Sequence, residues 1–249
     1  MKRQLSSIDL HYLIKELQAL KDSRIDKIYQ PEKEIIIFGL YKSNIGKKLL
    51  RIDVGKCIYI LEEKEAYEEI LGFGQFLRKH LDGHFLVDIE QIEPERIIKL
   101  TFKTKESTKY LYIEFIGKGN AMLCNEHDVI MNALEQHDYS ARSIRPKLKY
   151  AYPMMAYNIF DLNEKDLVEL LKNSKKDSLV TSLATELGLG GLYSEEICLL
   201  SNIDKNVNPK NIDEKQIQII FSSIKKIINK NIDAYAVFDE NNNVIDVTP

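Results

Sequence analysis

The sequence contains no tryptophan and only three cysteines in its 249 residues. Cys57, Cys124 and Cys198 are odd in number and far apart, so they match neither a disulfide framework nor the paired spacing of a zinc site. The five histidines form no HExxH motif. The sequence therefore predicts no metal site and no cofactor.

Long apolar runs are also missing. No stretch reaches the roughly 18 residues that a membrane span needs. The basic N-terminus (MKRQL) leads directly into the polar run SSID, where a secretory signal would carry its apolar core. We therefore expect a cytoplasmic protein without a membrane partner. With 44% hydrophobic and 29% charged residues, the composition is that of a folded domain and excludes disordered or collagen-like chains.

The chain has no excess of positive charge. Its net charge is -3, which excludes a uniformly basic nucleic-acid binder. Residues 1–150 contain 25 basic and 23 acidic residues, whereas residues 151–249 contain 10 and 15. A nucleic acid would therefore have to bind on a restricted face of the protein.

The first part of the chain has the pattern of an antiparallel sheet with helices. A helix is expected after Ser6, which caps it with Asp9 as its capping-box partner. A second helix is expected over 66–81. Short segments rich in β-branched and aromatic residues predict strands, and residues 96–102 and 110–116 also alternate in the period of half-buried antiparallel strands. These predicted strands are residues 24–29, 34–40, 48–54, 57–61, 85–91, 96–102, 110–116, 120–124 and 129–134.

The second part of the chain has a helical pattern. Helices are expected after Asn163, over 178–187, after Leu192 with Ser194 as the cap, and along the stripe formed by Ile217, Ile220, Phe221, Ile224 and Ile228. The sequence therefore predicts an α+β fold, in which an antiparallel β domain is followed by a helical domain. We expect a first domain over 1–150, a linker and first helix over 151–175, a helix-hairpin-helix domain over 176–232, and a terminal hairpin over 233–249, where the chain looks truncated.

Three glycines, Gly188, Gly190 and Gly191, precede the predicted helix that Ser194 would cap. Glycines at a helix N-terminus allow the backbone to approach a phosphate closely. This stretch resembles the helix-two-turns-helix element of formamidopyrimidine-DNA glycosylases, which contacts the nucleic-acid backbone. A plain helical hairpin with glycines for packing explains the pattern equally well.

The pair Glu95-Arg96 follows Pro94 at the entry to a predicted strand. An adjacent carboxylate can fix the geometry of a guanidinium, which then binds phosphate through two N–H groups or stacks on a base. The alternative is an exposed ion pair that contributes roughly 0–1 kcal/mol to stability.

Six short motifs follow one another along the chain: 6–10 (SSIDL), 15–17 (KEL), 24–31 (RIDKIYQP), 76–81 (FLRKHL), 96–98 (RII) and 114–120 (EFIGKGN). In this order they resemble the NFACT family of ribosome quality control factors, which includes proteins once called fibronectin-binding. The resemblance covers nearly the whole chain.

The resemblance implies an NFACT-N domain of glycosylase-like fold over 1–150 and a helix-hairpin-helix domain after it. It also implies binding of tRNA and of large ribosomal subunits that hold peptidyl-tRNA after stalling, in support of untemplated tailing of the nascent chain. The ribosome makes the peptide bond in that process, so we expect a protein that is not an enzyme. The family's Asp-Arg pair, which engages tRNA, corresponds to Glu95 and Arg96, with glutamate in place of aspartate.

Further candidate tRNA contacts are Arg78 and Lys79 on the second helix, and Arg142 and Arg145 in a cationic run. Residues 117–120 (Gly117, Lys118, Gly119 and Asn120) form either a phosphate-binding loop or a tight hairpin turn, and the turn is favoured.

Two other functions stay open. A glycosylase-like DNA-binding protein or lyase would need an N-terminal proline amine, and here Lys2 and Arg3 occupy those positions. An extracellular fibronectin-binding adhesin would need an export signal. The sequence leaves open which tRNA is selected and the oligomeric state.

Overall fold

The computed structural model describes residues 4–61, 71–140, 142–231, 233–242 and 244–248. Within these residues the order of elements begins with helix α1, four strands and helix α2, and continues with seven strands, four helices and a final hairpin. The helices are α1 (Ser7–Leu17), α2 (Gly72–Leu81), α3 (Glu164–Asn173), α4 (Leu179–Thr185), α5 (Gly190–Ser201) and α6 (Glu214–Ile228). The strands are β1 (Ser23–Glu32), β2 (Ile35–Lys42), β3 (Gly46–Asp53), β4 (Cys57–Leu61), β5 (Phe85–Gln91), β6 (Ile97–Lys103), β7 (Thr108–Glu114), β8 (Asn120–Asn125), β9 (Ile130–Ala133), β10 (His137–Asp138), β11 (Ser143–Ile144), β12 (Tyr235–Phe238) and β13 (Val244–Thr248).

The chain divides into two compact units. The first contains Leu10–Ile92 and Arg96–Tyr152 together with the residues before Ser6. The second contains Ser6–Asp9, Glu93–Glu95 and Pro153–Pro249.

An antiparallel sheet of nine strands forms the first unit, in the order β4-β3-β2-β1-β5-β6-β7-β8-β9. The order describes two meanders that meet at β1 and β5. These two strands pair only through Ser23 with Leu86 and Arg24 with Phe85. The antiparallel α+β fold predicted from the sequence is confirmed.

The first unit contains two apolar cores, and side chains that alternate along the strands pack into one or the other. In β7, Leu111 and Ile113 pack into the core that also contains residues of α1 and α2. Tyr112 between them packs into the other core with Ile144 and Tyr150. Successive side chains of a strand point to opposite faces, so one sheet builds both cores.

The second unit is formed mainly by helices α3 to α6. α3 and α6 begin with complete capping boxes, at Asn163 and Asp213 respectively. The predicted apolar stripe of α6 is buried at Ile217, Ile220 and Ile224. The terminal hairpin predicted over 233–249 is present as the antiparallel pair β12 and β13.

Two sequence predictions need correction or restriction. Ser194 does not cap α5, because the helix begins at Gly190 and the Ser194 hydroxyl donates to the Gly190 carbonyl at 2.7 Å. Gly190 and Gly191 belong to the first turn of α5, although glycine has a low helix propensity and the sequence therefore predicted a later start. The predicted start of α2 at residue 66 lies outside the described residues.

Replacing Asp213 by alanine is expected to lower the free energy of unfolding by about 1 kcal/mol. The Asp213 carboxylate accepts from the Gln216 backbone N–H at 2.8 Å, and the Gln216 side chain accepts from the Asp213 N–H at 3.0 Å. Urea denaturation measures the loss. Asp213→Asn keeps a capping oxygen and should stay near wild type, so equal losses in both variants would contradict this role.

Candidate nucleic-acid interface

Arg96 lies immediately before β6, and its backbone is fixed by the sheet. Its carbonyl accepts from the Phe115 N–H at 2.8 Å, which extends the ladder between β6 and β7. The side chain is partly exposed, and its Nη1 donates to Oε1 of Gln4 at 3.4 Å. The Gln4 amide also donates to the Gly117 carbonyl. Arg96 is therefore partly accessible, and Gln4 connects its guanidinium to residues 117–120.

Residues 117–120, here named the glycine loop, form a tight turn. Gly117 and Gly119 have φ angles of +60° and +77°, and the Gly119 N–H donates to the Ile116 carbonyl at 2.9 Å. The Asn120 side chain is buried and bonds the backbone of Glu135 through both its amide nitrogen and its oxygen. Gly117 and Lys118 remain exposed, so this part of the turn is accessible to a ligand.

Arg142 is held by a buried carboxylate. Its two terminal nitrogens donate to the Glu114 carboxylate at 2.6 and 2.8 Å, and the Tyr150 hydroxyl donates to the same group at 2.8 Å. Burial opposes the charged form of Arg142, but the Glu114 carboxylate outweighs it and raises the guanidinium pKa. Arg142 is therefore the counter-charge of a buried carboxylate, a structural role that its position in a cationic run did not indicate.

The glycine loop and Arg142 line the same open cavity of about 540 Å³. Tyr139, also in the lining, is 45% exposed, and its ring lies 5.1 Å from the Arg142 guanidinium carbon. An exposed aromatic ring beside a cation and a lysine-bearing turn is suited to an RNA base and its phosphate. The sequence predictions did not include Tyr139 or Gln4. Tyr139 lies close to the cationic run in the sequence, and this could have indicated it as a candidate. Nothing in the sequence around Gln4 indicates its role.

The other predicted basic contacts lie elsewhere in the first unit. Arg145 is exposed and pairs with Asp138, whose pKa it lowers chiefly by hydrogen bonding. Arg78 donates from Nε to the Ile28 carbonyl at 2.6 Å. Arg78 and the exposed Lys79 line a second open cavity, of about 530 Å³, along β1.

Glu95 belongs to the second unit and is only 7% exposed. Its Oε1 accepts from the backbone N–H of Met155 at 2.8 Å. Its carboxylate is therefore engaged inside the protein, whereas the side chain of Arg96 is partly exposed.

The predicted glycines Gly188, Gly190 and Gly191 lie where the chain passes from α4 into α5. We call residues 188–191 the α4–α5 turn; Gly188 precedes α5, and Gly190 and Gly191 are its first two residues. Gly188 and Gly190 both have φ of +73°, a conformation that favours glycine. A side chain added at Gly190 or Gly191 would meet open space, and both residues are exposed. α5 has no side-chain cap at its start.

The three thiols are poorly suited to nucleophilic chemistry. Burial raises the pKa of Cys124 to about 12 and the pKa values of Cys57 and Cys198 to about 11. All three are therefore protonated at neutral pH, and the thiolate is the reactive form.

No group of three or more residues able to hold a metal ion occurs among the residues described. Over the same part of the chain, every helix is too short or too polar to cross a bilayer.

The fold is that of the N-terminal region of a class of bacterial proteins named for fibronectin or fibrinogen binding. The N-terminal structure of the fibronectin/fibrinogen-binding protein of Streptococcus suis matches with a TM-score of 0.72 at 21% identity, over 95% of this chain and 88% of that one. The fibrinogen-binding protein of Staphylococcus aureus matches with a TM-score of 0.71 at 18% identity, over 88% and 82%. At these identities the similarity establishes the fold alone.

The family model described as "NFACT N-terminal and middle domains" matches residues 6–249, so the chain belongs to the NFACT family. The archaeal Rqc2 homolog aRqcH of Methanocaldococcus jannaschii is 30% identical over 92% of this chain and 36% of its own length. The human ribosome quality control complex subunit NEMF is 27% identical over 91% of this chain and 22% of its own. The chain thus spans about a third or less of the length of these relatives.

Proposed function

We propose that this chain is the tRNA-binding part of a cytoplasmic ribosome quality control factor. The factor binds large ribosomal subunits that hold peptidyl-tRNA after stalling, and it supports untemplated addition of residues to the nascent chain. Family membership and the names of the relatives, which are ribosome quality control proteins, support this role.

One observation carries the proposal: the partly exposed guanidinium of Arg96 is linked through Gln4 to the exposed backbone of the glycine loop. A planar guanidinium binds phosphate with two N–H groups or stacks on a base, and exposed glycines let an RNA backbone approach. Lys118 adds a positive charge on the same loop. In this role the chain binds and orients RNA while the ribosome makes the peptide bond, so the chain needs no catalytic residue.

Arg96→Ala is expected to weaken tRNA binding by at least about tenfold at low salt, because a guanidinium contact to phosphate or base is lost. The melting temperature should change little. Arg96→Lys keeps the charge without the planar geometry and should fall between wild type and Arg96→Ala. Fluorescence anisotropy with labelled tRNA measures the affinity.

Arg24→Ala is the matched control, because Arg24 is an exposed arginine of β1 in the same unit and is not a predicted contact. It should bind tRNA like wild type. Wild-type affinity should fall steeply with added salt. In a plot of log affinity against log salt concentration, Arg96→Ala should have a shallower slope, by the amount that corresponds to about one lost phosphate contact. Equal affinity of wild type and Arg96→Ala at low salt would refute the assignment of Arg96.

A further inference from the structure

The carboxylate of Glu95 fixes a segment of the second unit. It is almost fully buried and accepts the Met155 backbone N–H at 2.8 Å. Met155 is half-buried, and a backbone N–H that loses its acceptor in such a place is costly, so this bond constrains the backbone at Met155.

The side chain of Met155 extends this constraint to the α4–α5 turn. A methyl group placed on Gly188 would lie 2.9 Å from Cε and 3.8 Å from Sδ of Met155. Gly188 also has a positive φ, and it connects the end of α4 to the start of α5. The end of the Met155 side chain therefore lies against Gly188.

A second buried carboxylate acts at the first turn of α5. Asp9 is 5% exposed, and its Oδ1 accepts from the Tyr193 hydroxyl at 2.7 Å. Ser7 donates from its hydroxyl to the Pro94 carbonyl at 2.5 Å, so the segment with Asp9 is bonded to the segment with Glu95. Met155 thus contacts the α4–α5 turn at Gly188, and Asp9 bonds α5 at Tyr193.

We propose that Glu95 is a positioning residue, which acts through Met155 to set the conformation of the α4–α5 turn and does not contact tRNA. The inference rests on the proposed function only where it links the turn to tRNA binding. On this account the acidic and basic members of the Glu95-Arg96 pair have separate roles: Arg96 binds RNA directly, and Glu95 sets the α4–α5 turn, whose glycines are the candidate phosphate contacts of the second unit.

Glu95→Gln and Glu95→Ala distinguish positioning from direct contact. Glutamine keeps an acceptor oxygen for the Met155 N–H but loses the charge, whereas alanine loses both. We expect Glu95→Gln to bind tRNA within about twofold of wild type and Glu95→Ala to bind about five- to tenfold more weakly. Melting temperatures of both variants establish that they are folded at the temperature of measurement.

Hydrogen–deuterium exchange gives a readout that does not depend on tRNA. In Glu95→Ala, exchange at Met155 and across 186–192 should accelerate at least about fivefold, and in Glu95→Gln it should match wild type. Gly188→Ala should displace Met155 and weaken tRNA binding as Glu95→Ala does.

Three results would overturn the proposal. The first is equal loss of tRNA affinity in Glu95→Gln and Glu95→Ala, which would mean that the charge itself meets the ligand. The second is unchanged exchange in Glu95→Ala. The third is accelerated exchange with unchanged affinity. If wild type does not bind tRNA, the proposed function fails, and the exchange data alone still decide whether Glu95 positions the turn.

Discussion

Gly119→Ala is expected to destabilise the chain by about 3–5 kcal/mol, because it combines a steric clash with backbone strain. A Cβ at Gly119 would lie 2.3 Å from both Cα and N of Gly55 and 2.9 Å from the Glu114 carbonyl oxygen. These are backbone atoms and cannot rotate away. The φ of +77° adds the strain of a left-handed conformation. Chemical denaturation measures the loss, and secondary structure is checked by circular dichroism.

Gly117→Ala is the matched control in the same loop. Its φ is also positive, at +60°, but a Cβ there would meet nothing within 4 Å. It should therefore cost only about 1 kcal/mol. A similar loss in the two variants would mean that the close approach of Gly119 to Gly55 does not exist in solution.

Arg142→Ala is expected to lower the free energy of unfolding by about 3–5 kcal/mol, because it leaves the Glu114 carboxylate buried without its counter-charge. Glu114 is 2% exposed, and the neutral Tyr150 hydroxyl, which also donates to it, cannot replace the lost positive charge. Urea denaturation at neutral pH measures the effect.

Arg145→Ala is the comparison within the same cationic run. Arg145 and Asp138 both have about half of their side-chain surface exposed, so solvent screens their ion pair and its loss should change stability little. The double variant Glu114→Leu/Arg142→Met removes both charges and should be more stable than Arg142→Ala alone. A small effect of Arg142→Ala, equal to that of Arg145→Ala, would contradict the structural role of Arg142.

Local patterns predicted the fold well. Ser6 and Asp9 form the expected capping box, with the Ser6 N–H donating to the Asp9 carboxylate at 2.7 Å and the Asp9 N–H donating to Ser6 Oγ at 3.1 Å. The alternation in β6 and β7 correctly indicated antiparallel strands. The expectation that they are half-buried was wrong for β7, because Leu111, Tyr112 and Ile113 are all buried and both faces of the strand are covered. The capping box and the alternation depend on residues a few positions apart, which sequence periodicity reports directly.

Features that depend on distant residues were not predictable in the same way. The run containing Arg142 has the composition of a solvated surface, and nothing local indicates that Glu114 lies within hydrogen-bonding distance. Glu95 and Arg96 are neighbours in sequence, yet Glu95 is buried and Arg96 is partly exposed, because tertiary packing sets their surroundings. The roles of Gln4 and Met155 likewise follow from partners far away in the chain.

Ultraviolet crosslinking of the full-length protein in cells is the most direct test of the central claim, that the first unit binds tRNA at Arg96 and the glycine loop. Sequencing should recover tRNA together with large-subunit RNA, and mass spectrometry should find crosslinked peptides that contain Arg96 or residues 117–120. Recovery of neither RNA, or tRNA crosslinks confined to other parts of the protein, would contradict the account.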